Sequence, residues 1–300
     1  MGITLRKLSV FAKVAETGQV TKAGEVLYMS QPAVSMALAE LEASAGGPLF
    51  LRQGRRLLLN DRGRLLLEPA QEILRNVANF ENLLEESDRE PRGLLRIGAS
   101  TTIGNYLLPS LIADFSELYP SAKASLQVGN TQQIEHALEQ GTIDLGLIEG
   151  PSHAALLTTM PWQDDELVVI AGNRHPMSKE KSVSADMLAN AAWIMREPGS
   201  GTREVFEAAL SGRVHSIHIS LELGHTEAIK KAVEAGLGIS CLSRLAVQRE
   251  LENGWLVEIK TSLNLKRSLT ILLRNVTCRT RLLQSFLDML QIDEGRKSAK

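Results

Sequence analysis

Two groups of residues in this chain have types and spacings that could do chemistry. The first is Ser30-Gln31-Pro32-Ala33-Val34-Ser35-Met36. A capping hydroxyl followed closely by a proline opens a helix, and Val34, Leu38 and Leu41 then recur at helical spacing, so that stripe is buried. The other face is small or polar: Gln31, Ala33, Ser35 and Met36. Such a face can enter the major groove of double-stranded DNA, where Gln and Ser hydrogen-bond base edges and phosphates. A shorter helix precedes it, marked by Val20, Ala23, Val26 and Leu27 and carrying Thr21 and Lys22. The pair reads as a helix-turn-helix, with Ser30 to Leu41 as the recognition helix. By spacing alone an ordinary helical hairpin reads equally well. Leu49-Phe50 closes the small core, and Arg52-Gln53-Gly54-Arg55-Arg56 leads into Leu57 to Leu59. That is a two-stranded wing with three arginines near its tip, suited to phosphates.

The second group lies in four strand-to-helix turns: Ser100-Thr101-Thr102, Asn130-Thr131-Gln132, Gly199-Ser200-Gly201-Thr202 and His225-Thr226. Each by itself reads as a helix N-cap. Together, at the carboxyl ends of strands, they describe a polar pocket that favours an anion. The glycines flanking Ser200 let the backbone come close to a bound group. Glu149 closes the strand Ile143 to Ile148, and an ionised carboxylate there repels an anion unless it is protonated or paired with Arg196 or Arg203. Its readings are an unpaired loop glutamate, an acceptor for a ligand proton, or a pH- and ligand-linked trigger. His225 is likewise a cap residue or a ligand contact. No catalytic set emerges. Gly199-Ser200-Gly201 lacks the nucleophile elbow, no metal-ligand spacing occurs, and no phosphate loop is present. No cofactor and no metal are expected.

The elements that must position these residues follow from periodicity. Leu5, Leu8, Ala12 and Ala15 make an opening helix over residues 4–16 that packs on the helix-turn-helix. After the wing, Leu66, Ala70, Ile73, Val77, Phe80 and Leu84 form an unbroken heptad seam on one long helix, which predicts a homodimer. Pro69 bends that helix or marks a late start, and a polar stretch ending in Pro91 and Gly93 is a hinge. From Leu94 strands alternate with helices. Strands are expected at Leu94–Ala99, Ala124–Val128, Ile143–Ile148, Leu167–Ala171, Trp193–Met195, Ile217–Leu221, Ile239–Leu242 and Ser268–Leu273. Helices are expected at Ile103–Leu118, Gln132–Gln140, Thr202–Leu210, Thr226–Ala235, Leu245–Leu251 and Arg279–Leu290. This alternation means α/β units with parallel sheets.

Charge is uneven along the 300 residues. Residues 1–60 hold seven Lys/Arg against four Asp/Glu, a net of +3 inside an overall −2, so a basic head sits on an acidic body. The two cysteines, Cys241 and Cys278, are too few for a disulfide framework and read as buried small residues, with redox sensing as the minority reading. No charged-then-apolar leader and no long apolar run occurs, so a cytoplasmic protein without membrane contact is expected.

Leu5-x-x-Leu8-x-x-Phe11, Thr21-Lys22-Ala23, Ser30-Gln31-Pro32-Ala33-Val34-Ser35, Leu41-Glu42 and Pro48-Leu49-Phe50, in this order and spacing, resemble the N-terminal domain of LysR-type transcriptional regulators. The departures are Gly24 for the usual Ala, which would loosen its helix, Met36 for a common Arg or Lys, and Leu59-Asn60-Asp61-Arg62-Gly63 at the start of the long helix. The resemblance implies an α/β protein with an all-α winged helix-turn-helix head and a two-lobed sensor like a periplasmic binding protein. It implies a head over 1–60, a dimerising helix and hinge over 61–92, and an effector-binding domain over 93–300. Lobe I would be about 93–162 plus 267–300, and lobe II about 163–266. It also strengthens Ser100, Thr102 and Thr202 as effector contacts and implies assembly of dimers into a homotetramer. Glu197 to Arg203, Glu-Pro-Gly-Ser-Gly-Thr-Arg, resembles regulators of sulfur and one-carbon metabolism. The expected effector is therefore a sulfur oxyanion such as sulfite or sulfate, with a small carboxylate or phosphorylated metabolite as the alternative. The competing class is a small-molecule binding protein or enzyme on the same fold with an incidental helical head. The basic wing and the missing leader argue against it.

Overall fold

Thr4 accepts a hydrogen bond from the Lys7 N–H and so starts helix α1 (Leu5–Thr17). In this computed structural model, which describes residues 2–54, 56–85, 90–180, 182–211, 217–275 and 279–297, α1 belongs to the first of two units. The units are Met1–Ser87 and Asp88–Lys300. The buried face of α1 is Leu8, Val10, Phe11 and Val14, while Leu5, expected inside, is 44% exposed. The Phe11 ring sets this rotation by meeting Phe50 edge-on at 5.7 Å.

Helices α2 (Val20–Leu27) and α3 (Gln31–Ser44) follow, with Ala23, Val34, Leu38 and Leu41 in one core. Gly24 does not loosen α2. A Cβ there would stand 2.7 Å from the Met29 carbonyl oxygen, so the turn into α3 passes too close for any side chain. Strands β1 (Phe50–Gln53) and β2 (Arg56–Leu59) pair antiparallel and form the wing. Asn60 then caps α4 (Asp61–Glu85), accepting from the Gly63 N–H at 2.8 Å and donating to the Pro48 carbonyl at 2.7 Å. The helix runs through Pro69 without a break. Ala70, expected in the intermolecular seam, packs in the head's core beside Leu67 and Leu74. A small side chain there lets α4 lie close on the head. Leu66, Ile73 and Phe80 are exposed, and the Leu84 side chain lies outside the described residues.

The second unit begins with β3 (Gly93–Ser100), α5 (Thr101–Tyr106), α6 (Leu108–Leu118), β4 (Ala122–Gly129), α7 (Thr131–Glu139) and β5 (Leu145–Glu149). The expected helix over Ile103–Leu118 is two helices, because Leu107 breaks the run just before Pro109 opens α6. Strand β6 (Leu157–Gly172) is sixteen residues long. The next elements are a 3-10 turn (Pro176–Lys179), α8 (Ala185–Asn190), β7 (Ala192–Arg196), α9 (Gly201–Leu210), β8 (His218–Leu223), α10 (Thr226–Glu234) and β9 (Ser240–Ser243). The unit closes with α11 (Arg244–Glu252), β10 (Leu256–Ile259), β11 (Lys266–Arg274) and α12 (Arg281–Lys297).

The unit is a two-lobed α/β fold. In lobe I, β3 lies between β4 and β5, parallel to both, as helical crossovers require. Strand β11 returns antiparallel on β5, and the first part of β6 lies antiparallel on β11. The last part of β6 carries into lobe II, where β9 and β10 pair with it antiparallel. Strands β7 and β8 form a parallel pair beside them. The sheets are thus parallel where helices cross over and antiparallel where β6 and β11 pass between the lobes. Residues 157–166 of β6 did not read as strand because Gln163, Asp164, Asp165 and Glu166 interrupt the apolar pattern.

Candidate functional site

The head presents a helix with one buried and one open face. Val34, Leu38 and Leu41 are buried, whereas Gln31, Pro32, Ser35 and Met36 are exposed and Ala33 is half-buried. Ser30 holds the N-cap position, yet its hydroxyl makes no capping bond. Thr21 and Lys22 are exposed on α2, and Arg52 and Arg56 on the wing. Arg55 lies outside the described residues. Lys7 on α1 ion-pairs with Glu40 on α3 at 2.9 Å, which fixes the angle at which α3 is held.

In the second unit two of the four strand-end turns converge on one group, the carboxylate of Glu149. Ser100 Oγ donates to its Oε1 at 2.9 Å and Thr102 N–H to the same oxygen at 2.7 Å. Thr202 Oγ1 donates to Oε2 at 2.7 Å. The ion-pair partner is neither Arg196 nor Arg203 but Arg267, whose Nη1 lies 3.0 Å from Oε2. Glu149 and Arg267 side chains are each only 2% exposed, so this is a buried ion pair. Arg267 also donates from Nη1 to Thr202 Oγ1 at 3.0 Å and from Nε to Asp165 at 2.7 Å. Ser243 Oγ holds the other Asp165 oxygen at 2.8 Å. Burial by itself would raise the Glu149 pKa. The Arg267 charge, the Thr202 hydroxyl, the Arg196 charge and the Thr102 N–H outweigh it and lower the value from 4.5 to about 2.

That depression sets a pH dependence. A carboxyl whose folded pKa is lowered contributes stability above its ordinary pKa, and the contribution is lost as pH falls through the folded value. For Glu149 the window runs from about pH 5 down to about pH 2, and the contribution is roughly 3 kcal/mol. Urea midpoints of the wild type should fall across that window more steeply than those of Glu149→Gln. Equal slopes would mean that Glu149 is not the group responsible.

The other expected residues are not all brought to this carboxylate. Thr131 Oγ1 donates to the Glu149 main-chain oxygen at 3.1 Å, and Thr101 Oγ1 accepts from Arg196 Nη2 at 3.2 Å. Arg196 is buried and grips its neighbour Glu197 through Nε and Nη2, both at 2.8 Å. Arg203 pairs with Glu207 and Glu222, away from Glu149. Of the four turns, Asn130 alone has a capping side chain, in a reciprocal box with Gln133. Ser100, Ser200 and His225 stand at N-cap positions without a side-chain cap bond. His225 is exposed, while Thr226 is buried with its hydroxyl unpartnered among the described residues.

Two residues of the cluster escaped sequence reading. Arg267 and Asp165 sit opposite each other on β11 and β6, and Leu269, two residues along β11, sits opposite Glu149 on β5. The one available signal was a run of charges, Asp164-Asp165-Glu166 and Lys266-Arg267, set against apolar strand residues. A cavity of about 650 Å³ opens against this pair, lined also by Arg244, Leu245 and Gln248. Cys241 is buried nearby, and burial pushes its thiol pKa up, so it carries no reactive thiolate. Cys278 lies outside the described residues. No described helix is long and apolar enough to cross a membrane.

A helix with one buried and one exposed face in one unit, and a two-lobed α/β fold in the other, define the class: a DNA-binding protein with an attached sensor. Residues 5–64 match the bacterial regulatory helix-turn-helix protein family of the lysR type, and residues 88–293 match the LysR substrate binding domain. The chain belongs to the LysR family of transcriptional regulators, which are not enzymes. It is 44% identical to the HTH-type transcriptional regulator YeiE of Escherichia coli (strain K12), over 88% of each chain. A regulatory domain of CcmR from Synechocystis, solved in complex with 2-PG, is 32% identical, with a TM-score of 0.63 over 67% of this chain and 97% of that one. A full-length OxyR from Pseudomonas aeruginosa, solved as a single-site variant, shares the fold, at 24% identity and a TM-score of 0.74 over 97% and 96% of the two chains.

Proposed function

We propose that this regulator reads double-stranded DNA through Gln31, Pro32, Ser35 and the wing arginines, and that its sensor binds a small oxyanion where the lobes meet. A sulfur oxyanion such as sulfite or sulfate is the effector, and Ser100, Thr102 and Thr202 grip it. The observation that carries this is the convergence of donors from both lobes, Ser100, Thr102 and Arg267 with Thr202, on one anionic group. An array that holds two carboxylate oxygens suits the oxygens of a small oxyanion. A small carboxylate or phosphorylated metabolite is the second reading, favoured by the 2-PG complex of the similar CcmR domain. A regulator with this partner works in the cytoplasm.

A thermal-shift screen of the full chain against sulfite, sulfate, small carboxylates and phosphate esters tests the reading. A true effector at about 100 times its dissociation constant should add about 2.7 kcal/mol. A flat response to every oxyanion removes the sulfur assignment.

On the DNA side, Gln31→Ala should lose about 1–3 kcal/mol of discrimination between operator and random DNA. Arg56→Ala should weaken both alike and flatten the salt slope by about one. Fluorescence anisotropy at several salt concentrations reads both, and unchanged affinity and slope in both variants would remove the assignment.

Leu66, Ile73, Val77 and Phe80 on α4 are the dimer seam, supported by the exposure of Leu66, Ile73 and Phe80. Val77→Asp places a charge in that apolar stripe and should split dimers. Sedimentation of the wild type as a monomer at micromolar concentration would end this idea. Pairs of dimers joined through the sensor units complete a tetramer.

A further inference from the structure

We infer that Glu149 is a built-in competitor for the effector: the incoming anion takes over its hydrogen-bond donors, and the displaced carboxyl takes up a proton. This rests on the oxyanion reading above and adds its regulation. The geometry states the competition directly. Ser100 Oγ, Thr102 N–H, Thr202 Oγ1 and Arg267 Nη1 already spend their bonds on the Glu149 carboxylate, at 2.7 to 3.0 Å. An anion cannot use the same donors while that carboxylate stays.

Once displaced, the carboxylate would lie beside the new anion in a buried site, having lost the partners that keep it ionised. The charged and titratable groups around it favour this. Arg267 on β11 is shared with Asp165 on β6, Arg196 on β7 is neutralised by Glu197, and Cys241 on β9 is buried and neutral. With one anion already on Arg267, a second ionised carboxyl there is opposed by like-charge repulsion and desolvation. The exchange balances as one anion bound and one proton taken from solvent, the proton going to a Glu149 oxygen. Charge at the site is unchanged for a monoanion and rises by one negative unit for a dianion.

The consequence is a proton-linked sensor, which binds its anion more tightly as pH falls. The test is titration calorimetry of the full-length protein with sulfate and with sulfite, each in two buffers of different ionisation heat. Sulfate keeps its charge across the working range, so any proton uptake in its titration comes from the protein. Wild type should take up about one proton per sulfate and gain about tenfold in affinity per pH unit lowered. Glu149→Gln should bind sulfate more tightly at neutral pH and take up none. Sulfate binding by wild type without proton uptake overturns the inference while leaving the oxyanion reading standing, and this measurement needs no variant. Binding of neither anion to wild type or to Glu149→Gln overturns the oxyanion reading and the inference with it.

Discussion

Replacing Arg267 with Met should cost the sensor unit about 3–5 kcal/mol, because it removes the one charge shared by two buried carboxylates. Glu149 would keep only hydroxyl and main-chain N–H donors and Asp165 only the Ser243 hydroxyl, and the Glu149 pKa should swing upward from about 2. Two readouts separate this from a simple packing loss. The stability of Arg267→Met should improve as pH is lowered from neutral toward about 5, since protonation removes the repulsion, whereas the wild type should not. The double variant Arg267→Met with Glu149→Gln should recover part of the loss, as expected when one residue relieves the other. A variant with wild-type urea midpoint and unaltered pH profile would show that the buried pair is not a charge pair in solution.

Gly201→Ala should be nearly as damaging, through sterics rather than charge. Gly201 opens α9 in lobe II, and a Cβ there would land on the main-chain oxygen of Glu149 in lobe I and 2.7 Å from Thr131 Oγ1. Neither can yield without moving β5 or α7, so the two lobes must part. Overpacking of this kind typically costs about 1–3 kcal/mol and here belongs at or above the top of that range. Thr202 follows Gly201, so its hydroxyl should leave Glu149 and effector binding should be lost. The circular dichroism of the helical head and its affinity for random DNA should stay the same. Wild-type effector affinity in Gly201→Ala would mean that the lobes tolerate a wider approach. Gly201 therefore allows a close contact with the protein's own backbone at Glu149.

The head, the family and the α/β character of the sensor were legible in the residues alone. Those features rest on short-range patterns: Val34, Leu38 and Leu41 recur within one helix, and the turn into it is a few residues long. The wing follows directly, and only the rotation of α1 and the inward turn of Ala70 needed the packed core to settle them. The four strand-end turns were legible for the same local reason, since small hydroxyl residues before a helix are a nearest-neighbour signal. What the hydroxyls hold was not legible. Ser100 and Thr102 meet Glu149 because β3 and β5 lie side by side after a helical crossover, and Thr202 joins them from the other lobe. Arg267 reaches Glu149 through strand register. Leu269 is opposite Glu149 on β5, side chains repeat every second residue along a strand, and Arg267 is opposite Asp165 on β6. Pairing across a sheet joins residues far apart in the chain, and no periodicity within either segment encodes it. The tertiary structure alone decided which cation answers the buried glutamate.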